Sequence, residues 1–207
     1  MPETLPYGAW KSPITSDLIV AETIGLNTAL VDGGDIYWVE SRPGEGGRYV
    51  LVKQDGGDVT PAPFNVRTRV HEYGGGSVTV HRGAAYFSNF VDQRLYRLEP
   101  GGIPVPLTPE AAGGVSFRYA DGVIDVARGR WVGVREAHGT GQQVDNAIAA
   151  VDPTTPSAGR VLTEGADFYA APRVSPDGWV HLLGPSAFAL LVHSRCLKRH
   201  GGIRTNV

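Results

Sequence analysis

Gly83-Ala84-Ala85-Tyr86-Phe87-Ser88, then Leu95-Tyr96-Arg97-Leu98 before Pro100-Gly101-Gly102, then Leu107-Thr108-Pro109, set out a unit that the chain repeats on either side. A glycine opens each copy and an aromatic, strand-like run follows it: Gly34 before Asp35-Ile36-Tyr37-Trp38-Val39, and Gly129 before Arg130-Trp131-Val132-Gly133-Val134. The three glycines are spaced by 49 and 46 residues. A second apolar strand then enters a turn, as in Tyr49-Val50-Leu51-Val52 before Asp55-Gly56-Gly57 and Ala147 to Val151 before Asp152-Pro153. Strand followed by tight turn is the hairpin pattern. An apolar-Thr pair closes each copy, at Val59-Thr60-Pro61, Leu107-Thr108-Pro109 and Leu162-Thr163-Glu164. Proline directly after a strand suits an outer edge, where a missing N–H costs no ladder bond.

Self-similar units of this length, each rich in strand and turn, predict the four-stranded blades of a β-propeller. A β-sandwich also spaces short strands closely but gives no reason for anchors to recur in one order. Before Pro185 no stretch carries apolar residues at helical spacing, so the class expected is all-β. The expected organisation is an N-terminal extension at 1–25 and a partial propeller at 26–178, with an irregular or short helical basic tail at 184–207. Blades are placed at about 26–64, 65–112 and 113–168. Asp32-Gly33 and Asp177-Gly178 lie 145 residues apart, three periods, which starts a fourth blade at 169–183.

Composition narrows the function. Twenty-eight glycines and fifteen prolines in 207 residues indicate many turns, while 42% hydrophobic residues suffice for a core. A net charge of −2 offers no footprint for nucleic acid or for anionic membrane. Cys196 is the single cysteine, so no intrachain disulfide or CxxC site forms within the chain, and a reducing, cytoplasmic setting is expected. The first ten residues carry no leader pattern, and the apolar run Ala187 to Val192 is too short to cross a bilayer.

One segment concentrates chemistry: Asn65-Val66-Arg67-Thr68-Arg69-Val70-His71-Glu72-Tyr73-Gly74-Gly75-Gly76. Its three glycines allow positive φ and close backbone approach directly after a set of cations, an imidazole and a carboxylate. Two readings stand. The loop presents Arg67, Arg69, His71 and Glu72 at a propeller mouth, or Arg67, Arg69 and Glu72 pair across a joint between blades while His71 satisfies a buried carbonyl. This segment resembles the propeller of the prolyl oligopeptidase family of serine peptidases, in its dipeptidyl aminopeptidase/acylaminoacyl-peptidase branch. Val174-Ser175-Pro176-Asp177-Gly178 is similar to the WD40-like blade turn of the same proteins, and the likeness extends to Tyr7-Gly8-Ala9-Trp10-Lys11-Ser12-Pro13-Ile14 and to Tyr86-Phe87-Ser88-Asn89-Phe90. The resemblance implies a propeller that gates peptides toward an α/β-hydrolase domain. It makes Arg67, Arg69, His71 and Glu72 candidates for gating, and Gly74, Gly75, Gly76, Asp177 and Gly178 structural turn residues.

No catalytic residue is expected within these 207 positions. An α/β-hydrolase nucleophile needs Gly-x-Ser-x-Gly, so that a strained strand-to-helix turn exposes its Oγ. No serine here has glycine at both −2 and +2: Ser77 has Gly75 but Thr79, and Ser186 has Gly184 but Phe188. The six histidines show no HxH or HExxH spacing, and Gly74-Gly75-Gly76 precedes no Lys-Ser/Thr, so neither metal nor cofactor is expected. Asp125 and Glu136 read as solvated carboxylates.

After Gly178 the composition changes: all 21 acidic residues lie before position 179, and Arg195, Lys198, Arg199 and Arg204 follow it. The segment from Ser186 fits neither the blade pattern nor the family, which points to a truncation or frame shift near codon 179. An open ring would expose faces and edges between blades and favour self-association. The expected role is the gating part of a peptidase, inactive alone, with peptides as partners through the full enzyme. The alternatives are a free-standing interaction module, or a subunit complemented by a separately encoded hydrolase.

Overall fold

The computed structural model describes residues 4–9, 11, 13–15, 23–141, 144–175 and 180–181. It is all-β. Three four-stranded antiparallel sheets follow one another, each a meander in chain order. The first contains β1 (Gly25–Asp32), β2 (Asp35–Arg42), β3 (Arg48–Lys53) and β4 (Gly57–Asp58). The second contains β5 (Val78–His81), β6 (Ala84–Ser88), β7 (Leu95–Leu98) and β8 (Val105–Pro106). The third contains β9 (Ser116–Asp125), β10 (Arg130–His138), β11 (Val144–Val151) and β12 (Arg160–Glu164). A two-stranded start of a fourth pairs β13 (Arg173–Val174) with β14 (Val180–His181). The first strands lie side by side, β1 against β5, β5 against β9 and β9 against β13, which is the radial packing of a propeller. Asp177, Gly178 and the tail from 184 lie outside the described residues.

Local chemistry explains the repeat. The β5–β6 turn holds Arg82 at φ 50° and Gly83 at φ 78°, a two-residue turn with both centres left-handed whose twist matches the strands it joins. In the first blade Gly33, not Gly34, takes the positive φ. The closing threonine also has a mechanical role in two blades. Thr60 Oγ1 accepts Leu51 N–H at 2.9 Å and Thr108 Oγ1 accepts Leu95 N–H at 3.0 Å, both threonines fully buried. Each hydroxyl thus replaces a ladder partner where the short outer strand has ended. Thr163 differs, since it pairs with Ile148 as an ordinary strand residue.

Both faces of the second and third blades are interfaces. Along β6, Ala85 and Phe87 pack toward the first blade with Tyr37, Val39 and Leu51, whereas Ala84 and Tyr86 pack toward the third with Tyr119 and Trp131. Period-two alternation therefore separates two apolar joints, and the strand is buried throughout. Val132 and Val134 face a further cluster with Ile148, Tyr169 and Val180, against the fourth unit. This arrangement overturns the reading of Asp125 and Glu136 as solvated: both are buried, because both faces of the third blade meet a neighbour. Asp125 answers Arg128 and Arg130 at 3.3 and 3.0 Å.

Candidate functional site

Residues 65–76 form a strap over the blades and not a strand. Each stretch of it is fixed by a different blade. Asn65 Oδ1 accepts Tyr49 N–H at 3.0 Å, and Val66 N–H donates to Tyr49 O at 2.9 Å, on the first blade. Arg67 N–H donates to Ser88 O at 3.1 Å and Arg69 N–H to Gln93 Oε1 at 2.8 Å, on the second. His71 N–H donates to Glu136 Oε1 at 2.7 Å on the third, and His71 Nε2 lies 3.1 Å from Tyr169 O at the fourth. Val66 is buried in the cluster between the first two blades and Val70 in the cluster of the third and fourth.

His71 and Glu72 both adopt left-handed backbone, at φ 56° and 64°. Two such non-glycine residues in succession persist only where surrounding bonds over-determine them. Gly74 is the one glycine of the triplet with positive φ, at 97°. Gly75 and Gly76 serve close approach instead: a Cβ on Gly75 would meet Ala120 Cβ and Asp121 Oδ1 at 3.1 Å, and one on Gly76 would meet Asp121 Oδ1 at 2.9 Å. Asp121 makes use of that proximity. Its Oδ1 accepts Gly76 N–H at 2.6 Å and its Oδ2 accepts Ala171 N–H at 2.9 Å, which ties three blades together.

Glu136 is the electrostatic centre. Its Oε2 lies 2.9 Å from His138 Nε2 and 3.9 Å from Arg118 Nη1. His71 Nδ1 stands 3.2 Å from Oε1 without the alignment of a directed hydrogen bond, so that contact is one of charge. Burial pushes the Glu136 carboxyl up, but the bonds from His71 and His138 outweigh it and hold the group below its usual range. The partnership with Glu136 raises His71 against the opposing effect of burial. Glu72, by contrast, is exposed and meets Arg118 Nη1 at 2.6 Å.

The sequence-derived cluster is thus divided. His71 answers a buried carbonyl and Glu72 pairs across a joint, as one of the two readings held. Among the described residues Arg67 and Arg69 pair with no acid. Arg67 stacks over Tyr49 at 5.3 Å and Phe90 at 4.8 Å, and Arg69 over Phe90 at 4.4 Å. Glu136, Arg118, Asp121 and Tyr169 escaped the sequence reading. The signal available was Glu136-Ala137-His138, which sets a carboxylate and an imidazole on one strand face.

Beside the strap, a cavity of about 220 Å³ lies between it and the first blade. Asn27, Thr28 and Tyr49 of the first blade line it together with Arg67, Tyr73 and Ser77, and the buried Val39 and Val66 lie behind them. Among the described residues no group of three or more His, Cys, Asp or Glu could hold a metal ion, and no helix is long and apolar enough to cross a membrane.

Radial sheets, apolar joints and a strap linking them define the chain as a segment of β-propeller. Solved structures extend that result. A puromycin-hydrolysing peptidase of Mycobacterium tuberculosis is 37% identical at a TM-score of 0.77 over 87% of this chain. Puromycin hydrolase is 37% identical at 0.76 over 86%, and a serine-to-alanine variant of puromycin hydrolase complexed with PGG is 38% identical at 0.75 over 86%. The chain belongs to the prolyl oligopeptidase family of serine peptidases, as a portion of its propeller. It spans 31%, 30% and 30% of the length of those three structures. No family model matches the chain, and no curated protein matches it.

Proposed function

We propose that this chain is the substrate-gating propeller portion of a prolyl oligopeptidase-like serine peptidase, and that it hydrolyses nothing by itself. The observation that carries this reading is its 37% identity, across nearly nine-tenths of its length, to peptidases of which it spans less than a third. The strap supports the gating role. Arg67, Arg69 and Tyr73 project from it into solvent, while His71 and Val70 anchor it from below. Exposed side chains on a rigid support are suited to selecting what passes. The single cysteine is consistent with a reducing compartment for the enzyme.

The test is a chimaera in which residues 23–175 replace the matching portion of the M. tuberculosis puromycin-hydrolysing peptidase. Peptides of increasing length, dipeptidyl and acyl-peptide substrates among them, are assayed with and without Tyr73→Ala. The expected result is turnover by the chimaera and none by the 207-residue chain, with the ratio of kcat/KM between short and long peptides changed roughly tenfold by the substitution. Turnover by the chain alone that a serine-reactive probe blocks would overturn the proposed inactivity. A length preference untouched by Tyr73→Ala would overturn gating by the strap.

A further inference from the structure

Most arginines of the described residues are committed to acids or to carbonyls. Arg42 meets Glu40, Glu45 and Asp58; Arg94, Arg97 and Arg118 meet Glu110, Glu99 and Glu72; and Arg135 reaches two carbonyls. Arg67 is different. It is exposed, its guanidinium carbon lies over the Tyr49 and Phe90 rings, and none of the described ion pairs includes it. A cation–π contact uses the positive charge of a guanidinium without consuming its N–H donors, whose fork geometry matches a carboxylate. Arg69 places a second cation on the same Phe90 ring.

Among the described residues, Arg67 is also the only charged one lining the 220 Å³ cavity between strap and first blade. No acid of that lining opposes it. The hydroxyls of Thr28, Tyr49, Tyr73 and Ser77 add polar groups to the walls, and Val39 and Val66, both buried, contribute little surface to it. The space is smaller than the ~300–1,000 Å³ of sites for drug-sized ligands, so it suits one residue-sized group.

We propose that this cavity is a subsite for the C-terminal residue of a short peptide, with Arg67 taking the carboxylate in a bidentate pair and the hydroxyl-bearing walls facing the rest of a small, polar residue. The proposal rests on the peptide-gating reading and names the substrate class it favours: short peptides with a free C-terminus. A charge-assisted pair of this kind separates a carboxylate from its amide by about tenfold or more.

The experiment titrates the 207-residue chain, observed by amide nitrogen–proton correlation spectra, with Ala-Ala-Ser as free acid, with its C-terminal amide, and with acetate. The free acid is expected to shift the amides of Asn27, Thr28 and 66–77. The amide and acetate are each expected to bind at least about tenfold more weakly. Arg67→Gln should abolish the difference between acid and amide, and Arg67→Lys should restore only part of it, because an ammonium keeps the charge without the fork. Amide dispersion in the same spectra reports whether each variant is folded. Equal affinity for acid and amide overturns the carboxylate site while leaving peptide gating in place, since peptide still enters. Acetate binding as tightly as the free acid overturns the peptide assignment. Shifts confined to residues away from the cavity, or no shift, overturn the site, and the chimaeric enzyme then judges gating separately.

Discussion

The two ends of the strap are built from different physics. At residues 65–68 it is held by neutral bonds: Asn65 to the backbone of Tyr49, Arg67 N–H to Ser88 O, and Val66 sunk into an apolar cluster with Phe87 and Leu51. At residues 69–76 it is held by ions and by strained backbone. His71 and Glu72 are left-handed, a buried carboxylate accepts the His71 N–H, and Arg118 bridges Arg69 O to Glu72. The first end depends on fit alone. The second depends on protonation as well, so solution conditions act on one end of the strap and spare the other.

The comparison breaks most forcefully at Glu136. Glu136→Ala removes the acceptor of the His71 amide and the countercharge of two imidazoles at a site about as buried as the core. Removing one partner of a buried charge pair costs about 3–5 kcal/mol. Urea unfolding of the chain should show a loss of this size, with the strap amides 69–76 losing exchange protection before those of 65–68. A loss below about 1 kcal/mol would mean that the ionic end is carried by its neutral contacts, and the distinction between the ends would collapse.

The division also separates what the sequence discloses from what it withholds. Blade count follows from Gly83, Leu107-Thr108 and their counterparts, because hairpin turns and the Thr60 and Thr108 hydroxyl bonds are local and recur wherever the same turn is built. The neutral end of the strap is nearly as local, with Val66 an apolar residue in a run that must be covered. The ionic end is not. Glu136 lies 65 residues from His71, and an acid in the alternating run from Arg130 to His138 has the pattern of a solvated face. That inference fails in the third blade, which has no solvated face because both of its sides meet a neighbour. Arg67 and Arg69 mislead in the opposite sense: a charged pair beside Glu72 invites a salt-bridge reading, yet Phe90, more than 20 residues downstream, holds both of them and Tyr49, 18 residues upstream, holds Arg67 as well.

Protonation sharpens the same contrast. His71 is raised above 6.5 in the folded chain, chiefly by its contact with the Glu136 carboxylate, so its contribution is full below about 6.5 and is lost as pH rises through the folded value. Glu136 is held below 4.5, so its contribution is full above about 4.5 and is lost as pH falls through its folded value. Both are present together between about 4.5 and 6.5, and there the ionic end should be strongest. Thermal melts across pH 4 to 9 are expected to decline above that window. His71→Gln should flatten the alkaline limb, whereas Asn65→Ala, at the neutral end, should lower stability by a similar amount at every pH. A parallel pH profile in the two variants would place the titration outside the strap.

The smallest effect is expected at the outermost ion pair of the ionic end. Glu72 is 76% exposed in its side chain, although its oxygen stands only 2.6 Å from Arg118 Nη1. Short distance and exposure point in opposite directions here, and exposure wins: water screens the pair, and holding two long side chains in one geometry offsets much of the attraction. Arg118 also keeps other partners, since it donates to Arg69 O at 2.8 Å and lies 3.9 Å from Glu136. Glu72→Gln should therefore cost no more than about 1 kcal/mol in urea unfolding, and salt should erase the difference. Glu72→Gly tests the other feature of the position. Its φ of 64° is one that glycine adopts without penalty, so relief of backbone strain should offset the lost ion pair, and the glycine variant is expected to be at least as stable as the glutamine one. A glycine variant markedly less stable than glutamine would show that the Glu72 side chain steadies the strap through packing and not through its charge.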